Sequence, residues 1–136
     1  MLSIEELNAF FDREFPHAQL IVDEVGEKTA TIRKVIGPSD LRPGGTVSGP
    51  TMMSMADAAL YAAVLNEIGL VALAVTTSLN FNFLSKPSSD RDLIAKCSLI
   101  KVGQTLVVGE VSLYSDGKEE PVAHAVGTYA IPPVRP

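Results

Sequence analysis

Residues 46–69 read TVSGPTMMSMADAALYAAVLNEIG, and this stretch determines the fold. Ser48 or Gly49 can cap a helix at its start, and Pro50 suits the first turn. Apolar residues then face every direction until Gly69 ends the pattern, as in a helix that is buried all round. The sequence therefore predicts one long central helix that the rest of the chain must cover.

The segment before this helix predicts three further elements. Residues 3–14 begin with a capping box of Ser3 and Glu6 and predict a short amphipathic N-terminal helix. Residues 19–36 are rich in Val, Ile and Thr and predict a β-hairpin. The loop 37–46 contains several Gly and Pro residues and delivers the chain to the central helix.

Four β-patterned runs follow the central helix without another helix between them. Strands in such a series form an antiparallel sheet, and a buried helix against one sheet gives a two-layer α+β domain. We expect a single domain over residues 1–136. The four runs span residues 73–84, 92–102, 105–114 and 121–131.

The composition argues against several classes of function. The chain has 136 residues, no Trp and a formal net charge of -5, so it lacks the basic surface that nucleic acids require. Residues 1–15 form neither a signal peptide nor a membrane span, so we expect a cytoplasmic protein. Cys97 is expected in the core. His17 and His124 lack metal-ligand spacing, so neither a metal nor a cofactor is expected.

A carboxylate interrupts the apolar pattern of the central helix. No Lys or Arg stands three or four residues from Asp57, so its own helix offers no cationic partner. A desolvated carboxylate without a cation is more basic, which suits a general base or a nucleophile. The alternative is a structural role, in which Asp57 accepts hydrogen bonds from backbone N–H groups of the preceding loop.

The start of the central helix offers a place for an oxyanion. Gly44, Gly45 and Gly49 let the backbone approach a ligand, and the first N–H groups of a helix are unpaired at its positive dipole end. A thioester carbonyl becomes negative when it is attacked, so the N–H of Gly49 is the candidate donor that stabilises it. The alternative is an ordinary capped helix end.

Residues 46–61 resemble the entry to the central helix of PaaI-like acyl-CoA thioesterases, a family with the hotdog fold. The family pattern is His-Gly-Gly, six further residues, and Asp or Glu, which places Ser48 at the His position and Asp57 at the acidic position. Residues 74–84 resemble the next strand of the family, and the resemblance spans residues 20–131. It implies an antiparallel sheet that wraps around one long central helix.

The resemblance also implies an activity and the residues that carry it. Asp57 would act as nucleophile or general base, and the N–H of Gly49 would polarise the thioester carbonyl of an acyl- or aryl-CoA. Thr76 or Thr77 would position the attacking water from across a subunit interface; Thr76 is preferred for this role, and Thr77 is also expected to contact the substrate. Hotdog proteins are typically homodimers or dimers of dimers with shared sites. Coenzyme A would enter as part of the substrate.

Three positions differ from the family pattern. Ser48 replaces the His and cannot titrate near neutral pH, although it can cap the helix or hydrogen-bond a substrate. Pro50 replaces the second Gly and is expected beside the substrate. Arg42 stands where many members have Asn. Three roles are open for it: it would bind the anionic substrate, pair with Asp57, or be a solvated loop cation. A non-catalytic acyl-CoA-binding protein is therefore the alternative function.

Other side chains are candidates for substrate binding. Met52, Met53, Tyr61 and Phe83 would line an acyl or aryl pocket, or would be ordinary core residues. Lys86 would meet a phosphate of coenzyme A, or would be a solvated surface residue.

Overall fold

The computed structural model describes residues 1–133. Its central element is helix α2, Gly49–Ile68, which is 20 residues long and buried on most of its surface. Ser48 caps the helix, because its Oγ accepts the N–H of Thr51 over 3.3 Å. Gly69 ends the helix at a positive φ of 95°, which favours glycine. The predicted central helix is confirmed, and its cap is Ser48.

Eight strands form a sheet of six and a ladder of two in the described part of the chain: β1 Ile21–Gly26, β2 Thr29–Lys34, β3 Leu41–Arg42, β4 Thr46–Val47, β5 Val75–Phe83, β6 Leu93–Val102, β7 Leu106–Ser115 and β8 Ala123–Ala130. The large sheet is antiparallel and has the order β1-β2-β6-β7-β8-β5. The hairpin and the four later strands are confirmed. The β3–β4 ladder lies in the loop before α2 and was not predicted.

The sheet approaches α2 very closely at a pair of glycines. Gly109 of β7 and Gly127 of β8 lie opposite each other. A β carbon at these positions would lie 2.7 and 2.6 Å from the methyl groups of Leu60, which is fully buried. The two glycines therefore let the helix place its apolar side chains directly on the backbone of the sheet.

Helix α1, Ile4–Glu14, carries the predicted capping box. The Oγ of Ser3 accepts the N–H of Glu6, and the carboxylate of Glu6 accepts the N–H of Ser3, both over 3.1 Å. The helix packs its buried face against β1 and the ring of Tyr61 through Leu7, Phe10 and Phe11. Neither α1 nor α2, the α-helices of residues 1–133, combines the length and apolar character needed to cross a membrane.

Strand β5 forms one edge of the large sheet and is exposed along nearly all of its length. It pairs with β8 on one side, and no described strand pairs with its other side. Val75 and Phe83, at its two ends, are 56% and 53% exposed. An apolar, unpaired edge of this kind is a template for pairing with another strand.

Candidate active site

Asp57 lies on the side of α2 that faces the start of β5 and the end of β8. Its side chain is half-buried, rather than shielded from water as the apolar helix pattern suggested. Oδ1 accepts two hydrogen bonds, one from Oγ1 of Thr76 over 2.5 Å and one from the hydroxyl of Tyr129 over 3.0 Å. Both donors are neutral, so they hold the carboxylate in place without cancelling its charge.

The sheet places both hydroxyls on the same side of the strands. Thr76 of β5 pairs directly with Tyr129 of β8, so their side chains share one face. The register then shifts between Thr76 and Ser78, which leaves Thr77 as an extra residue in a β-bulge. The hydroxyl of Thr77 donates to the carbonyl of Thr128 over 3.3 Å. Thr76, and not Thr77, therefore reaches Asp57, and it does so within one chain rather than across a subunit interface.

Tyr129 was missed by the sequence analysis. Its ring is buried and stacks on Tyr61, with 5.5 Å between ring centroids and 18° between ring planes. Burial, with a smaller contribution from the charge of Asp57, raises the pKa of the Tyr129 hydroxyl well above its ordinary value. The hydroxyl therefore stays protonated and remains a donor to Asp57.

The second carboxylate oxygen of Asp57 is open. Among the described residues, no donor bonds Oδ2 and no cationic side chain lies within 4.0 Å of the carboxylate. No buried side-chain oxygen in residues 1–133 lacks a partner, so Oδ2 must reach an accessible surface. Asp57 lines a cavity of about 530 Å³ together with Thr76, Tyr129, Tyr61 and apolar residues of α1, α2 and the segment before β5. We call it the aspartate cavity.

Gly49 lines a different cavity of about 340 Å³, which we call the glycine cavity. The N–H of Gly49 forms no hydrogen bond with a described residue. The N–H of Thr51 donates to the side chain of Ser48, and the N–H of Met52 is the first in the helix that donates to a backbone carbonyl, that of Ser48. Pro50 has no N–H to offer. Gly49 therefore presents the open donor at the start of α2, as the sequence suggested.

Asp57 and Gly49 do not face a common point within one chain. They lie eight residues apart on α2, which separates them by about 12 Å along the helix axis. They line separate cavities. The spacing of the motif suggested that Asp57 and Gly49 belong to one site. Within one chain, however, the carboxylate and the N–H donor lie in two different places.

Asp40 pins the loop before α2, a role that one interpretation gave to Asp57. Its buried carboxylate accepts the N–H of Gly37 over 2.9 Å and the hydroxyl of Thr51 over 3.3 Å, and it lies 3.3 Å from Nζ of Lys34. Asp57 bonds no loop N–H in the described residues. The interpretation that Asp57 pins this loop is therefore wrong, and the loop is held by a different carboxylate.

Arg42 is exposed and lines the glycine cavity. It forms no ion pair with Asp57, so the proposed pairing that would have neutralised Asp57 is wrong. Lys86 lines the same cavity and is also exposed. Two cationic residues therefore line the cavity that Gly49 also lines.

The predicted pocket residues divide between the two cavities. Tyr61 lines the aspartate cavity, and its hydroxyl donates to the carbonyl of Ala72 over 3.0 Å. Met52 and Phe83 line the glycine cavity, where a β carbon on Gly49 would lie 3.2 Å from the ring of Phe83. Met53 is 41% exposed and lines neither cavity of one chain, so the interpretation of Met53 as a core residue is wrong.

Ser48 and Pro50 lie in a third cavity of about 470 Å³, beside Asp40. The hydroxyl of Ser48 accepts the N–H of Thr51 and donates to the hydroxyl of Thr51 over 3.0 Å, so it is occupied by the helix cap. Neither Ser48 nor Pro50 lines the cavity that contains Asp57. The structure gives Ser48 a capping role and places both residues away from the carboxylate.

Known proteins are similar to this chain in sequence and in fold. Residues 44–122 match the thioesterase superfamily. A protein from a Silicibacter species, provisionally named a thioesterase, is 42% identical, with 98% of this chain and 94% of that chain covered and a TM-score of 0.90. No curated protein sequence matches this one.

Two more distant structures share the fold. The Escherichia coli PaaI protein of the phenylacetic acid degradation operon is 20% identical, with 93% of this chain and 91% of that chain covered and a TM-score of 0.76. Zebrafish thioesterase superfamily member 2 is 17% identical, with 96% of this chain and 99% of that chain covered and a TM-score of 0.82.

Proposed function

Because this chain belongs to the thioesterase superfamily, as a hotdog-fold thioester hydrolase of the PaaI-like type, we propose that Asp57 is its catalytic carboxylate. The substrate that we propose is an acyl- or aryl-coenzyme A. The fold, the family and the enzyme class expected from the sequence are confirmed by the family match. The residues and the substrate are our proposal.

One observation carries this proposal: Oδ1 of Asp57 is held by two neutral hydroxyls, Oδ2 has no described partner, and Asp57 lines a cavity. A general base or nucleophile needs an ionised oxygen with a free lone pair within reach of the substrate. Thr76 and Tyr129 fix the orientation of the carboxylate, and no described cation quenches it. Oδ2 is therefore the oxygen that meets the thioester.

Two routes are consistent with this geometry. As a nucleophile, Oδ2 attacks the carbonyl carbon, the C–S bond breaks, coenzyme A leaves, and water then hydrolyses the acyl-aspartyl anhydride. As a general base, Oδ2 takes a proton from a water molecule whose oxygen attacks the carbonyl carbon, and the proton passes to the departing thiolate. Each route consumes one water and releases a carboxylic acid and free coenzyme A.

The oxyanion donor in this proposal is the N–H of Gly49 from a partner subunit. The N–H is unpaired in the described chain and lies at the positive end of the α2 dipole. A thioester at Asp57 is too far from Gly49 of the same chain, which lies about 12 Å away along the helix. The exposed edge of β5 supports a homodimer that joins the sheets edge to edge and shares its sites, and a dimer of dimers is compatible with it.

The glycine cavity would then receive the coenzyme A portion of the substrate. Arg42 and Lys86 line it, and neither forms an ion pair with another described residue. Phosphate groups are held by such cations. An enzyme with a net charge of -5 can therefore bind an anionic substrate through local cations.

Thiol release tests the proposal directly. Wild-type enzyme and Asp57→Asn are incubated with a panel of acyl- and aryl-CoAs, and free coenzyme A is followed with a thiol reagent. We expect release by wild type from at least one substrate and loss of most turnover in Asp57→Asn with affinity retained. Saturable binding without release by either protein would contradict the proposal and favour a non-catalytic acyl-CoA-binding protein.

A further inference from the structure

An aromatic row leads from the end of α1 to the partners of Asp57. The rings of Phe11 and Phe15 both meet Tyr61 edge-on, with centroid distances of 5.9 and 6.0 Å. Tyr61 stacks on Tyr129, which donates to Asp57. All five residues line the aspartate cavity. The N-terminal helix therefore supplies one wall of the cavity that contains the carboxylate.

The chemistry of this cavity restricts what can fill it. Among the described residues that line it, Asp57 is the one charged side chain. Ser54 of α2 and Thr76 of β5 add hydroxyl groups to the same lining. The hydroxyl of Tyr61 is already bonded to the carbonyl of Ala72. An acyl group that carries its own carboxylate would lose solvation there and be repelled by Asp57. The cavity suits uncharged, apolar acyl groups.

Phe15 is the most exposed aromatic residue of this wall. It caps the C-terminal end of α1, where its N–H bonds the carbonyl of Phe11 over 2.8 Å. Its ring lies in a tilted contact with Phe11 and meets Tyr61 edge-on, and the residue is 45% exposed. An apolar group that enters the cavity would cover this ring, and such burial is favourable in proportion to the area removed from water.

Several alanines line the cavity together with Phe15 and the other large side chains. Ala18, Ala58, Ala72 and Ala74 line the same cavity and project little into it. Helix α1 also precedes the segment 44–122 that the chain shares with its superfamily. The wall that contains Phe15 therefore lies outside the segment that matches the superfamily.

From these observations we infer that the aspartate cavity is the pocket for the acyl group, and that Phe15 sets the largest acyl group that it accepts. The inference rests on the proposed function, because it assigns the substrate class of the Asp57 site. The acyl groups selected are uncharged and apolar, with a size limit imposed by α1.

A chain-length series tests the role of Phe15. The ratio kcat/KM is measured on saturated acyl-CoAs of increasing length and on succinyl-CoA, for wild type, Phe15→Ala and Phe15→Trp. Phe15→Ala should move the preferred length upward and Phe15→Trp downward, each changing the long-to-short ratio of kcat/KM about tenfold, the lower range seen for one methylene in an apolar pocket. Succinyl-CoA should be a poor substrate for all three.

The control is Val35→Ala, which also shortens an exposed apolar side chain but lies outside both cavities. It should leave the length preference unchanged. Hydrolysis with the same length preference in wild type and both Phe15 variants would overturn the inference and leave the proposed function intact. Rapid cleavage of succinyl-CoA would also overturn it. Failure of wild type to release thiol from any acyl-CoA would defeat the proposed function and the inference with it.

Discussion

Tyr129 donates its hydroxyl to Oδ1 of Asp57 over 3.0 Å, and burial keeps that hydroxyl protonated. This hydrogen bond joins the last strand of the sheet to the central helix. With the bond from Thr76, it fixes which oxygen of the carboxylate faces the cavity. Tyr129 is thus a positioning residue, because it acts on the substrate through Asp57.

Removal of this hydroxyl should lower turnover more than binding. A hydrogen bond to a charged group contributes about 1.5–3 kcal/mol, so Tyr129→Phe is expected to reduce kcat by about tenfold or more. The ring and its stacking on Tyr61 remain, so KM should change little. Steady-state kinetics on the best acyl-CoA measure both constants. An unchanged kcat would show that the bond does not position Asp57.

The neighbouring threonines of β5 form a matched pair. Thr76→Val removes a hydroxyl that bonds Asp57, whereas Thr77→Val removes one that bonds the carbonyl of Thr128. Thr76→Val should lower kcat by about tenfold, Thr76→Ser should restore it, and Thr77→Val should keep the wild-type kcat. Equal effects of the two valine substitutions would count against a specific role for Thr76.

Much of the fold could be predicted because its signals are local. The caps at Ser48 and Gly69 and the apolar run between them define α2 without any distant contact. Asp57 stood out for the same reason, as one charge in that run. The sequence-based expectations of cytoplasmic location and of a dimer or tetramer stay predictions.

The rest of the site depends on strand register. Tyr129 meets Asp57 because β8 pairs with β5 so that residue 129 lies opposite Thr76, and the bulge at Thr77 sets that register. Neither pairing nor bulge is visible in a single sequence, since strand register is decided by contacts between distant segments. The separation of Gly49 from Asp57 follows from helix geometry, but the family motif presents the two residues as one unit.

A shared site predicts complementation between two inactive variants. Asp57→Asn lacks the carboxylate, and Gly49→Pro lacks the N–H at a helix position that tolerates proline. If the variants are unfolded and refolded together at equal amounts, about half of the dimers are mixed, and each has one site with both native groups. The mixture should recover about a quarter of wild-type activity, measured by thiol release. Activity no higher than that of the separate variants would contradict a site shared in this way.

The buried thiol of Cys97 should make the free energy of unfolding depend on alkaline pH. The residue lies in the core, as expected, and burial raises the pKa of its thiol from 9.0 to about 12. Between these two values the unfolded thiol loses its proton and the folded one keeps it, so the free energy of unfolding should fall as pH rises from 9 towards 12. Urea titrations of wild type and Cys97→Ala should show a shallower decline in the variant. Identical slopes would contradict the assignment.

The most direct test of the account is the turnover of Asp57→Asn compared with Asp90→Asn. Both substitutions remove one negative charge, and Asp90 is an exposed residue that lines neither cavity. If Oδ2 of Asp57 is the reacting oxygen, kcat of Asp57→Asn should fall by about 10²- to 10⁴-fold, while its affinity for a non-cleavable thioether analogue and its melting temperature stay near wild type. A kcat for Asp57→Asn equal to that of Asp90→Asn would contradict the assignment of Asp57 as the catalytic carboxylate.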